Sequence, residues 1–202
     1  MTIRDRHIKL RDVAEVRSGL VLARKLSRGI SRLRYKLLTL RSIHPNGYVD
    51  ANQLDVFHAD EDLPQCYLSQ VGDVIVRLSA PYTAIVVDES TAGMVVSSNF
   101  VIIRTNRNEL LPEYLYWLLN TPKVKRSIYE NATSNMLGTV KAKYFSGFEL
   151  PMLALAKQQQ IADINALALK EAKLLRNLAE QKERYYSVMI DRIQRIEERN
   201  AT

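Results

Sequence analysis

Little in this chain could hold a metal or carry a nucleophile. Its 202 residues include one cysteine, Cys66, and three scattered histidines, His7, His44 and His58. A single cysteine excludes an internal disulfide and any cysteine-based zinc site. The sequence has no glycine-rich phosphate loop and no serine in a G-x-S-x-G elbow. No apolar run reaches the roughly 18–20 residues that cross a bilayer. The opening MTIRDRHIKL has no apolar stretch of the secretory kind. A cytoplasmic protein with no membrane association, no catalytic residue, no metal and no cofactor is expected.

Two weak signs of chemistry fail on inspection. Ser79-Ala80-Pro81-Tyr82 resembles the Asn/Asp-Pro-Pro-Tyr motif of amino-methyltransferases, but it lacks the leading amide or carboxylate and one proline. Asp88-Glu89 could open a metal-dependent nuclease motif, but no Glu-x-Lys follows. A binding module is the better reading.

What is present is charge, unevenly placed. The net formal charge is +7. Residues 1–44 hold 12 Lys/Arg against 3 Asp/Glu, whereas residues 45–122 hold 3 against 10. Residues 123–150 are basic again, with 5 against 2. If the fold brings the two basic segments together, they form a face that attracts a polyanion by releasing its counterions. The alternative is a solvated basic surface without a partner.

Short β-branched runs bounded by turn residues mark strands at 74–76, 84–87, 94–96 and 100–103, a mixed or antiparallel sheet. Residues 7–17 read as one short element. Residues 35–43 read as a strand closed by the turn His44-Pro45-Asn46-Gly47, with 48–56 as its return. Pro112 opens a helix over 112–120, a second helix covers 122–131, and 132–143 is polar and turn-rich.

No glycine or proline occurs from Met152 to Thr202. Apolar residues recur there at Ile161, Ile164, Ala168, Leu175, Leu178, Tyr185, Met189, Ile193 and Ile196, mostly at helical spacing, with Glu171 and Lys182 interrupting the stripe. A continuous helix over 157–198 would be roughly 60 Å long. Such a helix with a narrow apolar stripe pairs with another helix, or else breaks and folds back on itself. The fold class is therefore α+β: a globular mixed-sheet domain over 1–150, then one long helix of coiled-coil type within 151–202.

Candidates for DNA contact fall in three groups. The first is the basic stretch of Arg24, Lys25, Arg28, Arg32 and Arg34, since arginine clamps phosphate or bonds guanine in two places. The second is Arg77 with Tyr82. The third is Thr133, Ser134, Asn135, Thr139, Lys141 and Lys143, where asparagine can pair with adenine while the hydroxyls and lysines hold backbone. For any one of these residues, an exposed side chain without a partner is the competing reading.

Several stretches together resemble the specificity (S) subunit of type I restriction–modification systems. They are Leu10-Arg11-Asp12-Val13-Ala14-Glu15-Val16 with Ser18-Gly19, Gly72-Asp73-Val74-Ile75-Val76 and Ser98-Asn99-Phe100-Val101-Ile102-Ile103-Arg104. Pro112-Glu113-Tyr114-Leu115, Leu137-Gly138-Thr139-Val140 and Leu150-Pro151 with Gln158-Gln159-Gln160-Ile161 follow in the family's order. Departures are the missing second proline in Met152-Leu153-Ala154, Lys157 where glutamate is common, and Ala80-Pro81 in place of glycine. The resemblance implies one non-catalytic target-recognition domain, half of the usual two, that reads double-stranded DNA in a prokaryotic cytoplasm. It implies a helix that spaces this domain from another and on which methyltransferase (modification) subunits, and further the restriction subunits, assemble. With one domain and one helix in view, two copies are expected to pair as a homodimer through antiparallel helices over a palindromic bipartite target. The competing expectation is a stand-alone DNA-binding regulator or antirestriction decoy of the same fold.

If the basic stretch touches phosphate, Arg28→Ala and Arg32→Ala should each weaken binding to every duplex and lower the salt slope by about 0.9. Titrations at several salt concentrations measure this. Unchanged slopes in both variants would remove the stretch from the interface.

Overall fold

The computed structural model describes residues 7–27, 33–133 and 138–200, and its contacts divide the chain into two units, Met1–Ile161 and Ala162–Thr202. The first unit contains β1 (His7–Lys9), β2 (Ala14–Ser18), β3 (Leu33–Leu38), β4 (Ile43–His44), β5 (Tyr48–Val49) and β6 (Asp55–Ala59). There follow β7 (Val74–Arg77), β8 (Ala84–Val86), β9 (Val95–Val96), β10 (Phe100–Thr105), α1 (Pro112–Asn120), α2 (Pro122–Thr133), α3 (Ala142–Ser146) and β11 (Glu149–Pro151). The last element is α4 (Leu155–Asn200). The expected α+β class, with a mixed-sheet domain and a long final helix, is what the chain adopts.

The apolar runs form an antiparallel sheet in the order β2-β10-β7-β8. Over β7, β8 and most of β10 both faces are buried, which is why those runs do not alternate with polar residues; β2, at the edge, alternates and is partly exposed. On one face Val74, Val76, Val101 and Ile103 pack with Leu115 and Leu119 of α1, Ile128 of α2 and Phe145 of α3. On the other, Ile75, Ile85, Phe100 and Ile102 pack with Leu38, Ile43 and Met94. Each such burial is worth about 1.5–3 kcal/mol. A second, mixed sheet has the order β6-β3-β9, with β3 antiparallel to β6 and parallel to β9. The first strand closes on the last, His7 opposite Pro151.

Two buried polar groups hold this unit together. The Asp73 carboxylate, at the entry to β7, accepts from Arg104 Nε at 2.8 Å and Arg104 Nη2 at 3.1 Å. It also accepts the Gln70 N–H at 2.8 Å, and Arg104 donates to the Leu68 carbonyl at 3.0 Å. Gly72, just before it, has φ +89°, a conformation that glycine takes without strain. Gln158, in the first turn of α4, is 0% exposed. Its Oε1 accepts the Leu111 N–H at 2.9 Å, satisfying an amide at the start of α1, and its Nε2 donates to the Glu109 and Leu153 carbonyls at 2.8 and 2.9 Å.

Four element boundaries differ from the sequence expectation, two of them through local side-chain hydrogen bonds. Residues 35–43 are not one strand: β3 stops at Leu38 because Ser42 Oγ donates to the Thr39 carbonyl at 2.8 Å and accepts the Thr39 N–H at 3.0 Å, a side-chain turn that displaces the ladder. The return over 48–56 is also split. The Asp50 carboxylate caps the 3-10 turn Ala51–Gln53 by accepting the Asn52 N–H, and β6 then pairs with β3 rather than β4. Residues 7–17 break at the 3-10 turn Leu10–Asp12, where the Leu10 N–H donates to the Phe148 carbonyl at 2.9 Å. The turn-rich 132–143 segment runs into the short helix α3, whose Phe145 is fully buried.

The helix α4 has 46 residues, about 69 Å at the usual rise, and runs further at each end than the apolar stripe indicates. In the second unit Ile164, Leu175, Leu178, Tyr185, Met189, Ile193 and Ile196 are all exposed, Leu175 at 60%. Ala168, Glu171 and Lys182 are exposed too. Ile161 departs from the stripe: partly buried, it packs against the core of the first unit.

Asp73→Ala strands the Arg104 guanidinium and should cost about 3 kcal/mol. Gln158→Ala leaves the Leu111 N–H and Glu109 carbonyl unpaired and should cost about 2 kcal/mol. Thermal unfolding should show Tm lowered by roughly 2–4 °C per kcal/mol; a shift under one degree in either variant would show that its network is not what holds the unit.

Candidate nucleic-acid interface

The turn between β7 and β8 does most to build the site. Tyr82 there has φ +53°, which costs a non-glycine residue about 1–2 kcal/mol. The conformation is held because its ring is buried, 3% exposed, and its hydroxyl donates to the Gly138 carbonyl at 3.0 Å. Burial pushes this phenol's pKa up, so it remains a neutral donor. Ser79 and Thr139 form an antiparallel bridge beside it, and the Val140 N–H donates to the Leu78 carbonyl at 2.8 Å. The 138–143 segment is thereby stitched to the end of β7.

This stitching creates an open cleft of about 480 Å³. Ser18, at the end of β2, and Ser98-Asn99, just before β10, line it together with Thr139, Lys141 and Lys143. Both lysines are exposed. The cleft presents hydroxyls, one carboxamide and two ammonium groups, a donor-rich surface suited to a polyanion with hydrogen-bonding edges.

Arg77 and Tyr82 take part differently from the sequence expectation. The Arg77 guanidinium donates to the Leu40 carbonyl at 3.2 Å and the Ala80 carbonyl at 3.1 Å, and burial lowers its pKa. It ties the turn after β3 to the turn after β7. Tyr82, being buried, acts through the segment that it holds. Tyr82 is buried and Arg77 partly buried, and the bonds that each makes go to backbone carbonyls, while Arg77 Nε has no partner among the described residues.

In the first basic group, Arg24 is exposed and Lys25 is ion-paired with Glu61, which raises the Lys25 pKa. Arg34 and Lys36 share the outer face of β3, while Leu33, Tyr35 and Leu37 turn to the core beneath. Arg28, Arg32, Ser134 and Asn135 lie outside the described residues. A second groove of about 410 Å³, lined by Leu22, Leu37, Leu38 and Leu40 together with Thr39, Ser97, Asn99 and the ion-paired Arg41 and Asp55, runs beside β3. Asn99 thus belongs to both grooves.

Sequence reading missed Ser18, Ser79, Ser98 and Asn99 as site residues. One signal was available in Gly19. A Cβ there would lie 2.2 Å from the Ser97 carbonyl oxygen, so glycine is what lets residues 18–20 run against 96–98. Among the described residues, no group of three or more His, Cys, Asp or Glu could hold a metal, and no helix is long and apolar enough to cross a membrane.

Tyr82→Phe removes the bond to Gly138 at a cost of about 1 kcal/mol. Hydrogen exchange at the Val140 amide should speed up while that of Val101, in the sheet centre, stays unchanged; equal protection in variant and parent would show that the hydroxyl does not hold the segment.

Neither a protein-family model nor a curated relative matches the sequence. Solved structures do. A chain from a structure described as showing complex assembly and conformational transition of the type I R-M system is similar, with TM-score 0.63 and 18% identity, over 88% of this chain and 45% of its own. The HsdS subunit from Thermoanaerobacter tengcongensis is similar, with TM-score 0.62 and 17% identity, over 86% of this chain and 44% of its own. The fold is therefore that of an HsdS subunit, the specificity subunit of type I restriction–modification systems, and this chain spans a little under half the length of the solved chains it matches.

Proposed function

We propose that this chain is a non-catalytic, sequence-specific DNA-recognition component of a type I restriction–modification system. The observation that carries the reading is the cleft joining Ser18, Ser98, Asn99, Thr139, Lys141 and Lys143 on a fold similar to HsdS. Lysines set beside a carboxamide and hydroxyls suit a duplex, with phosphate held by the ammonium groups and base edges met by the rest. Arg34 and Lys36, exposed on the outer face of β3, are further basic side chains of the same unit. The bound target is presented to methyltransferase (modification) subunits, with which restriction subunits assemble in turn. The protein works in a prokaryotic cytoplasm.

In this reading α4 pairs antiparallel with the α4 of a second copy. Support comes from the exposed apolar stripe Ile164, Leu175, Leu178, Tyr185, Met189, Ile193 and Ile196, a row of large side chains that water solvates poorly. Two recognition domains spaced by paired helices would match a bipartite palindrome.

Reconstitution with a cognate methyltransferase subunit should yield adenine methylation confined to one bipartite sequence. Specific binding without methylation would overturn this reading and favour a stand-alone regulator or antirestriction decoy. Light scattering should give the mass of a dimer at micromolar concentration. Leu175→Asp with Leu178→Asp should give a monomer, since a paired helix cannot bury unpaired carboxylates. A parent that is monomeric, or a dimer that survives both changes, would overturn the helix pairing.

A further inference from the structure

Of the side chains lining the two grooves, Asn99 is the sole carboxamide, and its position combines three properties that a base-reading residue needs. First, it is exposed and its side chain has no hydrogen-bond partner among the described residues, so both its donor and its acceptor are available. This sets it apart from the carboxamides of Asn120 and Gln158, which are spent on backbone.

Second, its backbone is gripped from three sides. The Asn99 carbonyl accepts the Leu78 N–H at 3.0 Å, and the Phe100 N–H closes a tight turn onto the Ser97 carbonyl at 3.0 Å. The Leu20 N–H donates to the Val96 carbonyl and the Ser98 N–H to the Leu20 carbonyl, each at 2.7 Å. Ser97 itself is buried. A residue on so constrained a backbone can hold a planar two-bond geometry, which a side chain on a loose loop cannot.

Third, its surroundings differ on its two sides. Toward one groove lie Lys141 and Lys143, placed to hold phosphate. Toward the other lie the partly exposed Leu22 and Leu40, with the Arg41–Asp55 ion pair in the same groove. In the major groove, adenine offers an N7 acceptor and an N6 donor to a carboxamide, while the thymine of the same pair offers a methyl group. A free carboxamide beside the partly exposed Leu22 and Leu40 matches both halves of that pair.

We infer that Asn99 is a specificity-determining residue that reads one A·T base pair in the major groove, bonding adenine N6 and N7 through its carboxamide. The inference rests on the DNA-recognition reading proposed above and names a contact within it. Lys141 and Lys143 supply affinity without sequence information.

The test uses the full chain reconstituted with its methyltransferase subunit and a pool of duplexes of random sequence. The parent should select a consensus containing a fixed A·T pair. Asn99→Ala should lose the preference for adenine at that one position by about ten- to a hundredfold, with the other positions intact. Asn99→Asp keeps the shape of the side chain but can only accept hydrogen bonds, so it should shift that position toward cytosine, whose N4 donates. Placing 7-deazaadenine at the position should weaken the parent and leave Asn99→Ala unaffected. Asn99→Asp carries the test should Asn99→Ala fail to fold.

The outcomes separate cleanly. A parent that selects no sequence overturns the DNA-recognition reading itself. A parent consensus retained in both variants, or a uniform loss of affinity with the consensus unchanged, overturns the role of Asn99 and leaves that reading in place.

Discussion

A carboxylate buried at the end of a strand is the constraint on which the first unit depends. Asp73 enters β7 where water cannot reach it, and an ion placed there is costly unless its lone pairs are filled. Arg104, near the far end of the neighbouring strand β10, fills two of them, and the Gln70 amide fills a third. The pair also reaches the Leu68 carbonyl, so one network joins the turn before β7 to the end of β10. An antiparallel sheet with apolar side chains on both faces has weak internal grounds for choosing its register, because a slip by one residue still buries valine or isoleucine. The ion pair supplies the missing discrimination, since any slip separates the charges.

From that registered sheet the site follows by short steps. The ends of β2 and β7 and the start of β10 come to one edge, bringing Ser18, Ser79 and Asn99 into the same cleft. Gly19 permits the close approach of residues 18–20 to 96–98, and Tyr82 fastens the segment bearing Thr139, Lys141 and Lys143 across the end of β7. Arg77 braces the turn after β3 from below. The partly buried arginine and the buried tyrosine position the segments, while exposed lysines, hydroxyls and one carboxamide face outward. That division of labour is what a recognition surface on a rigid scaffold requires.

Much of the fold was legible. The strands at 74–76, 84–87 and 100–103, both helices after Pro112 and the long final helix stand close to where apolar pattern and proline placed them. Two of the failures share one cause. At Thr39–Ser42 and at Asp50, small polar side chains bond the backbone and end a strand that pattern alone would continue. For the site, the lysines of 139–143 were legible from charge, whereas Asn99 was not. Asn99 stands in one of the stretches that carry the family resemblance, but its place between two grooves comes from the distant segments that surround it.

What the sequence alone determined is set by local physics: the apolar runs that become strands, the glycine- and proline-free stretch that becomes one helix, and the separation of basic from acidic segments. Each of these depends on residues close together in the chain. What only the tertiary structure decided is which of the polar residues act together. Arg77 and Tyr82 turned inward to brace the site, Ile161 left the helix stripe for the domain core, and Asn99 took a place between two grooves. These outcomes come from contacts between residues tens of positions apart, where burial decides whether a donor meets solvent or a backbone carbonyl.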